Sequence, residues 1–214
     1  KGNVVGLPTE TVYGLAGNAY SKKSIKKIYS LKKRPKKNPL IVHYLSFDSA
    51  KHDVIFNDYF YKLYKKFCPG PITFVLKKKI TSTIQSSVTA NLDTVAIRFP
   101  KHNITRSVLK KINFPLAMPS ANLSSGISPI NAFDVYDEFK KKIKIIINGG
   151  NSKIGIESTV ISLIRKPKIL RLGVIETKKI SKFFKISFFK NGSKIRSPGL
   201  FKRHYSPGIP IQLN

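Results

Sequence analysis

The pattern of apolar and polar residues along this chain predicts a mixed α/β fold. Short apolar runs bounded by Pro, Gly or charged residues predict strands at residues 4–7, 40–45, 72–76, 94–99, 116–118, 143–147, 159–164 and 168–172. Apolar residues spaced three or four apart predict helices at residues 21–33, 57–67, 103–112 and 131–139. The two kinds of element do not alternate strictly, so we expect an open, twisted mixed sheet flanked by helices rather than a doubly wound parallel sheet.

The same pattern predicts one large domain followed by an extended tail. Residues 1–185 contain no fixed-period repeat and no low-complexity linker. Residues 186–214 are rich in Pro and Gly, which is typical of a linker. Within that tail, Arg203, His204 and Tyr205 stand between two Ser-Pro-Gly turns, and such a cluster of recognition side chains is unusual in a mere spacer.

Charge changes this picture, because the chain carries 40 Lys and Arg against 10 Asp and Glu. An excess of this size indicates a polyanionic partner such as tRNA, another nucleic acid or a nucleotide. A genome rich in A and T would also produce many Lys, Ile, Asn, Phe and Tyr codons, so charge alone leaves both explanations open.

A single cysteine, Cys68, excludes a disulfide framework and a cysteine metal cluster. No segment approaches the roughly 20 apolar residues of a membrane span, and the composition suits a cytoplasmic protein.

The most informative motif is PTETVYGL at residues 8–15. Pro8 ends the first predicted strand because it has no N–H to donate to the ladder. Two hydroxyls, a carboxylate and a phenol then follow at the carboxyl end of the strand, where α/β proteins most often hold ligands. A polar loop with a helix N-cap would be the purely structural interpretation.

Two further features combine cations with predicted strands. The loop KKRPKKNP at residues 32–39 is stiffened by two prolines, and its Arg and Lys suit phosphate oxygens, although a solvated basic loop is the alternative. His43 lies within an apolar strand, where a core histidine is commoner than a ligand. Arg98 ends another strand, and a buried arginine needs an ion pair or a bound anion.

Two loops are dense in hydroxyl groups. PSANLSSGISP at residues 119–129 offers small residues and successive N–H groups that can form an anion nest, but it is neither a Walker A loop nor a nucleophile elbow. GIESTV at residues 155–160 resembles the opening motif, because it too places a carboxylate and two hydroxyls at the edge of a strand.

The four histidines lack zinc-site spacing, and no Ser-His-Asp or Cys-His set is apparent. This inventory favours catalysis by positioning and charge neutralisation, as in phosphoryl or nucleotidyl transfer.

Six motifs, in order, resemble the YrdC-type threonylcarbamoyl-AMP synthase family. They are residues 8–15, Lys32-x-Arg34-Pro35 with Pro39-Leu40, PGPIT at 69–73, Ala96-Ile97-Arg98, PSAN at 119–122 and Gly155-x-Glu157-Ser158-Thr159. The resemblance covers residues 2 to about 173. The tail at 197–207 resembles the linker of the longer, two-domain branch, so we expect a chain trimmed at its N-terminus and lacking the following domain.

The resemblance implies a YrdC-like fold with a basic concave cleft, and an enzyme that makes L-threonylcarbamoyladenylate and pyrophosphate. Its substrates would be L-threonine, bicarbonate or CO2, and ATP with Mg2+, and its product would serve modification of adenosine 37 in ANN-decoding tRNAs. It implies catalytic roles for Lys32 and Arg34. It implies threonine binding by Thr9, His43, Arg98, Met118 and Ser158. It implies ATP binding by Arg34, Asn38, Thr94, Ser120, Ser128, Arg171, His204 and Tyr205.

Two alternatives compete with this interpretation. A non-catalytic protein that binds double-stranded RNA or tRNA would need spread lysines, whereas a synthase needs a set of converging residues. That set is Thr9, Arg34, His43, Arg98, Ser120 and Ser158, and its presence favours the enzyme. A carbamoyl-adenylating domain of the hydrogenase-maturation type is disfavoured by the Arg203–His204–Tyr205 tail. For the synthase we expect no resident metal site in the protein and no membrane partner.

Overall fold

The computed structural model describes residues 2–188 of the chain and contains one mixed sheet flanked by helices. Its strands are β1 (Val5–Leu7), β2 (Gly14–Asn18), β3 (Ile41–His43), β4 (Val54–Ile55), β5 (Ile72–Lys78), β6 (Thr94–Arg98), β7 (Leu116–Ala117), β8 (Thr159–Ser162), β9 (Lys168–Arg171) and β10 (Ser187–Phe188). Its helices are α1 (Lys22–Leu31), α2 (Phe47–Ala50), α3 (Asp58–Phe67), α4 (Asn103–Lys111), α5 (Ala132–Phe139) and α6 (Thr177–Ser181), with a 3-10 turn at Lys140–Lys142. None of the helices in this part of the chain is long and apolar enough to span a bilayer.

The sheet is open, and its strands run in both directions. Their order is β1-β2-β7-β3-β6-β5-β8-β9-β10, with β4 paired to β5 off this path. The pairs β3–β6, β5–β8 and β9–β10 are parallel and the remaining pairs are antiparallel. The expected open mixed sheet flanked by helices is therefore confirmed.

The helix ends follow from local capping groups. The Ser21 hydroxyl accepts from the N–H of Ser24, and the Asn57 side chain accepts from the N–H of Phe60. Asn131 and Asp134 form a reciprocal capping box at the start of α5. These side chains satisfy N–H groups that the first helical turn leaves unpaired, so the helices begin within a residue of their predicted starts.

The predicted buried strand at residues 143–147 is wrong in extent. Only Ile146 forms a bridge, to Gly6, and the segment contributes two backbone hydrogen bonds beside β1. Lys144 and Ile145 are exposed, because the segment lies at the open edge of the sheet. The sequence pattern also missed β2, whose two glycines weaken the strand signal.

Strand alternation gives the two faces of the sheet different chemistry. Val42, Phe74, Ile97 and Ile161 point into the main core with the helices. The opposite face carries a smaller apolar cluster of Ile41, Val75, Ala96, Val160 and Leu170. On that second face, polar residues replace the apolar ones toward one end of the strands, and this end positions the candidate site.

We expect Phe60→Ala to destabilise the protein strongly, because Phe60 is fully buried between Phe56, Tyr64, Phe74 and Phe99. The cavity should lower the free energy of unfolding by about 3–5 kcal/mol, measured by urea denaturation. Phe133→Ala is the matched control, because Phe133 is 73% exposed and should change the unfolding free energy by less than about 0.5 kcal/mol. A cost for Phe60→Ala no larger than the control would contradict this account of the core.

Candidate active site

A cleft lies against the polar end of the second sheet face. The strand register aligns three polar side chains across neighbouring strands there: His43 of β3, Arg98 of β6 and Thr73 of β5. Register neighbours point to the same face of a sheet, so these three residues form a row. The row continues through Val160 of β8 to Arg171 at the end of β9.

The cleft brings together the residues that the sequence suggested for an amino acid substrate. The side chains that line it include Thr9, His43, Arg98, Met118 and Ser158. They come from the loop after β1, from β3, from β6, from the residue after β7 and from the residue before β8. The tertiary structure therefore gathers into one wall residues that lie far apart in sequence.

The loop at residues 8–15 is folded by its own hydroxyls. The Thr9 hydroxyl donates to the carbonyl of Val12 at 2.6 Å and accepts from the N–H groups of Thr11 and Val12, each at 3.2 Å. The Tyr13 hydroxyl donates to the carbonyl of Gly150 and accepts from the N–H of Gly149. Thr9 and Tyr13 thus hold the shape of the loop.

Gly14 allows this loop to pack closely against Met118 and Pro119, the residues that follow β7. A Cβ atom at Gly14 would lie 2.3 Å from Met118 Cγ and 3.3 Å from the carbonyl oxygen of Pro119. The N–H of Leu15 donates to that same carbonyl. A larger residue at position 14 would therefore clash with Met118, whose side chain lines the cleft.

Glu10 forms a buried ion pair with Arg98. Arg98 Nη2 lies 2.7 Å from Glu10 Oε1, and the N–H of Lys101 donates to Glu10 Oε2 at 3.0 Å. Burial by itself raises the pKa of Glu10, but the Arg98 guanidinium and these hydrogen bonds together hold it below its usual value. The Nε of Arg98 is buried and has no hydrogen-bond partner within residues 2–188. Arg98 therefore retains a donor for a ligand.

His43 lies beside Arg98 as a neutral imidazole. Burial, and secondly the Arg98 charge, lowers the pKa of His43 well below its ordinary value. Its Nδ1 is buried without a hydrogen-bond partner among the residues that the structure describes. A neutral ring can accept as well as donate one hydrogen bond, so His43 suits an uncharged polar group better than it suits an anion.

The residues suggested for ATP divide into three groups. Arg34, Ser120 and Arg171 line the cleft. Asn38 and Ser128 lie just behind it, because the Asn38 side chain accepts from Arg34 at 2.6 Å and the Ser128 hydroxyl donates to Glu157 at 3.0 Å. Thr94 lies at the opposite end of β6 from Arg98, about 13 Å along the strand. His204 and Tyr205 lie outside the described residues.

Arg34 differs from the other two arginines of the cleft in its partners. It donates to the carbonyls of Asn38 and Pro39 and to the Asn38 side chain, all of them uncharged. Among the described residues, no carboxylate forms a salt bridge with Arg34. Burial lowers the pKa of Arg34 to about 10, so the guanidinium remains charged at neutral pH. Its charge is therefore available to a ligand.

Arg171 is held by Glu157, which sequence reasoning had not placed in the site. Arg171 Nη1 lies 3.3 Å from Glu157 Oε2, and Arg171 also donates to the carbonyl of Ser158. Gly173 lets the chain after β9 pass closely over this segment, because a Cβ atom there would lie 2.5 Å from the Glu157 carbonyl oxygen. The repeated motif of Glu followed by hydroxyls, in a chain with few acidic residues, was the signal for both Glu10 and Glu157.

Lys32 does not line the cleft but lies behind its wall. Its ammonium group donates to the carbonyls of Ser120 and Asn122, and only 1% of the residue is exposed. Burial, and secondly the Arg34 charge, lowers the pKa of Lys32 to about 7. Lys32 thus holds the turn that carries Ser120, and the catalytic role that the resemblance implies for it stays a prediction.

The chain is similar to a known protein family and to proteins of known structure. The Sua5/YciO/YrdC family model, described as "Telomere recombination", matches residues 1–173. Curated proteins named threonylcarbamoyl-AMP synthase match from Pyrococcus abyssi and from Bacillus subtilis, each at 38% identity, over 99% and 98% of this chain. This chain spans 64% and 62% of those relatives. A crystal structure of P. abyssi Sua5 complexed with L-threonine superposes with a TM-score of 0.91 at 39% identity, over 96% of this chain and 62% of that one.

The buried Lys32 predicts a characteristic pH dependence of stability. In the unfolded chain this amine titrates near 10.5, whereas in the folded protein its pKa is about 7. Between these values the unfolded state binds more protons, so the free energy of unfolding should rise with pH from 7 to 9, by at most about 1.4 kcal/mol per unit. We expect Lys32→Met to remove this rise, as measured by urea denaturation at several pH values.

Lys26→Met is the matched control for that measurement, because Lys26 is an exposed lysine on α1. The control should retain the wild-type slope of unfolding free energy against pH. Equal slopes for the wild-type protein and Lys32→Met would mean that the amine of Lys32 keeps its charge when folded.

Proposed function

Because the chain belongs to the Sua5/YciO/YrdC family, we propose that it is a threonylcarbamoyl-AMP synthase, a nucleotidyltransferase that uses L-threonine, bicarbonate or CO2, and ATP. The products would be L-threonylcarbamoyladenylate and pyrophosphate. The observation that carries the proposal is the convergence of Arg34, Arg98 and Arg171 on one cleft in which Arg34 has no carboxylate partner among the described residues. The names of the curated relatives support the same reaction.

We assign the inner part of the cleft to L-threonine, the amino acid with which P. abyssi Sua5 was crystallised as a complex. Arg98 has an unpaired Nε that would bind the carboxylate of threonine. The neutral imidazole of His43 would bind an uncharged polar group of the amino acid. Thr9, Met118 and Ser158 also line the cleft and would surround the amino acid.

We assign ATP to the side of the cleft that contains Arg34, Ser120 and Arg171. Arg34 would bind phosphate oxygens, and its fork is held in place by Asn38. Ser128 would act indirectly, through Glu157 and Arg171. The distance of Thr94 from this region gives no support to its assignment. Roles for His204 and Tyr205 stay predictions.

The reaction would proceed in two steps. The threonine amine forms a bond to the carbon of CO2 and loses a proton, which gives a carbamate. A carbamate oxygen then attacks the α-phosphorus of ATP, the bond from that phosphorus to the bridging oxygen breaks, and pyrophosphate leaves with the electron pair. Arg34 would stabilise the charge that develops on the phosphate oxygens, while Arg98 holds the amino acid in line for attack.

Magnesium would enter with ATP rather than bind to a site built by the protein. No group of three His, Cys, Asp or Glu side chains that could hold a metal exists within residues 2–188. Glu157, which lines the cleft, and Glu10 are already paired with Arg171 and Arg98. When bound to ATP, magnesium neutralises phosphate charge.

We further propose that the product serves modification of adenosine 37 in ANN-decoding tRNAs, and that the reaction takes place in the cytoplasm. The high positive charge of the chain is compatible with a direct contact to tRNA. A non-catalytic RNA-binding protein is the competing function. Binding of RNA without any pyrophosphate release would favour it.

We expect Arg34→Ala to lower threonine-dependent pyrophosphate release, with ATP and bicarbonate present, by about 100-fold or more, because the variant loses a preorganised cation at the reacting phosphate. Arg34→Lys should recover only part of the activity, since a point charge replaces a bidentate fork.

Lys37→Ala is the control for both Arg34 variants, because Lys37 is an exposed residue of the same loop. It should retain near wild-type turnover, and circular dichroism should give the same folded signal for all three variants. Full turnover by Arg34→Ala would overturn the role assigned to Arg34.

A further inference from the structure

The motif PGPIT at residues 69–73 ends on a buried hydroxyl that the proposed mechanism does not use. Thr73 is fully buried on β5, in register between Arg98 of β6 and Val160 of β8. Its Oγ1 lies 2.8 Å from Ser158 Oγ, and this is the one hydrogen bond of the Thr73 side chain within the described residues. Among the described residues, Thr73 is therefore hydrogen-bonded to the cleft lining through Ser158.

The polarity of this hydrogen bond follows from counting donors and acceptors. A hydroxyl has one proton and two lone pairs. Arg171 Nη2 lies 3.2 Å from Ser158 Oγ, and a guanidinium can only donate, so Ser158 accepts there. If Ser158 donated its proton to Thr73, the Thr73 proton would be buried without an acceptor, which is unfavourable. If Thr73 donates instead, both lone pairs of Ser158 are occupied and its proton is free.

We propose that Thr73 is a positioning residue which makes Ser158 a hydrogen-bond donor toward the cleft. The free proton of Ser158 would then meet an oxygen of the ligand, either the threonine carboxylate or the carbamate formed from its amine. Identification of that ligand rests on the proposed function, but the polarity of the Thr73–Ser158 bond does not. The Ser158 hydroxyl would add a hydrogen-bond donor to those of Arg98 and Arg171, so this part of the cleft presents several donors to an anion.

Substitution tests whether Thr73 acts through Ser158. We expect Thr73→Val to lower kcat/KM for threonine about 10-fold, because the isosteric variant leaves Ser158 free to rotate its proton away from the ligand. Thr73→Ser should restore near wild-type kcat/KM. Thr89→Val is the matched control, because the buried hydroxyl of Thr89 donates to the carbonyl of Ser86, outside the cleft.

A double-mutant cycle separates this role from a merely structural one. In the Ser158→Ala background, Thr73→Val should cause no further loss, because its effect is transmitted by the serine. A second, equal loss in that background would overturn the proposal, as would wild-type kcat/KM in Thr73→Val. A raised Kd for threonine without ATP and bicarbonate would assign the acceptor to the carboxylate, whereas a lowered kcat alone would assign it to the carbamate.

Neutron diffraction on the deuterated protein tests the direction of the Thr73–Ser158 hydrogen bond without an activity assay. We expect the deuterium on Thr73 Oγ1 to point at Ser158 Oγ, and a deuterium on Ser158 directed at Thr73 would overturn the proposal. Absence of threonine-dependent pyrophosphate release by the wild-type protein would refute the proposed function alone, since the neutron result stands independently of it.

Discussion

The buried ion pair between Arg98 and Glu10 is the contact on which the cleft depends. It joins β6 to the loop after β1, and three strands of the sheet separate these two elements. An unpaired charge at either position would cost several kcal/mol, so neither residue tolerates loss of the other. The pair therefore holds the loop of residues 8–15 over the sheet and leaves the Arg98 Nε for a ligand.

A second pair, Glu157 with Arg171, repeats this arrangement on the other side of the site. In both cases a glutamate near hydroxyl residues fixes an arginine that ends a strand. The two pairs compensate two of the three guanidinium charges in the cleft, and Arg34 is bound only by neutral groups. Two cations held by carboxylates, and a third without a salt bridge among the described residues, fit the proposed reaction between an amino acid and a nucleotide triphosphate.

Some parts of the site could be inferred from the chain because each is local. Pro8 and Gly14 dictate a turn, and the hydroxyls of Thr9 and Thr11 close it. Other residues could not be placed in this way. Lys32 follows the apolar positions of α1 on one face, so it is drawn into the interior, where its amine donates to backbone carbonyls. Thr94 shares a strand with Arg98 but lies at its other end, and a strand pattern does not tell which end lines a cleft.

The sequence by itself determined the kinds of element, the helix caps and the motifs, because periodicity, capping and turn chemistry act over a few residues. The tertiary structure alone decided strand order and register, and with them the row of His43, Arg98 and Thr73. It also decided that residues 143–147 form a single bridge at an open edge. Register and edge position depend on partners distant in the chain, so the donors that meet in the cleft are a property of the assembled sheet.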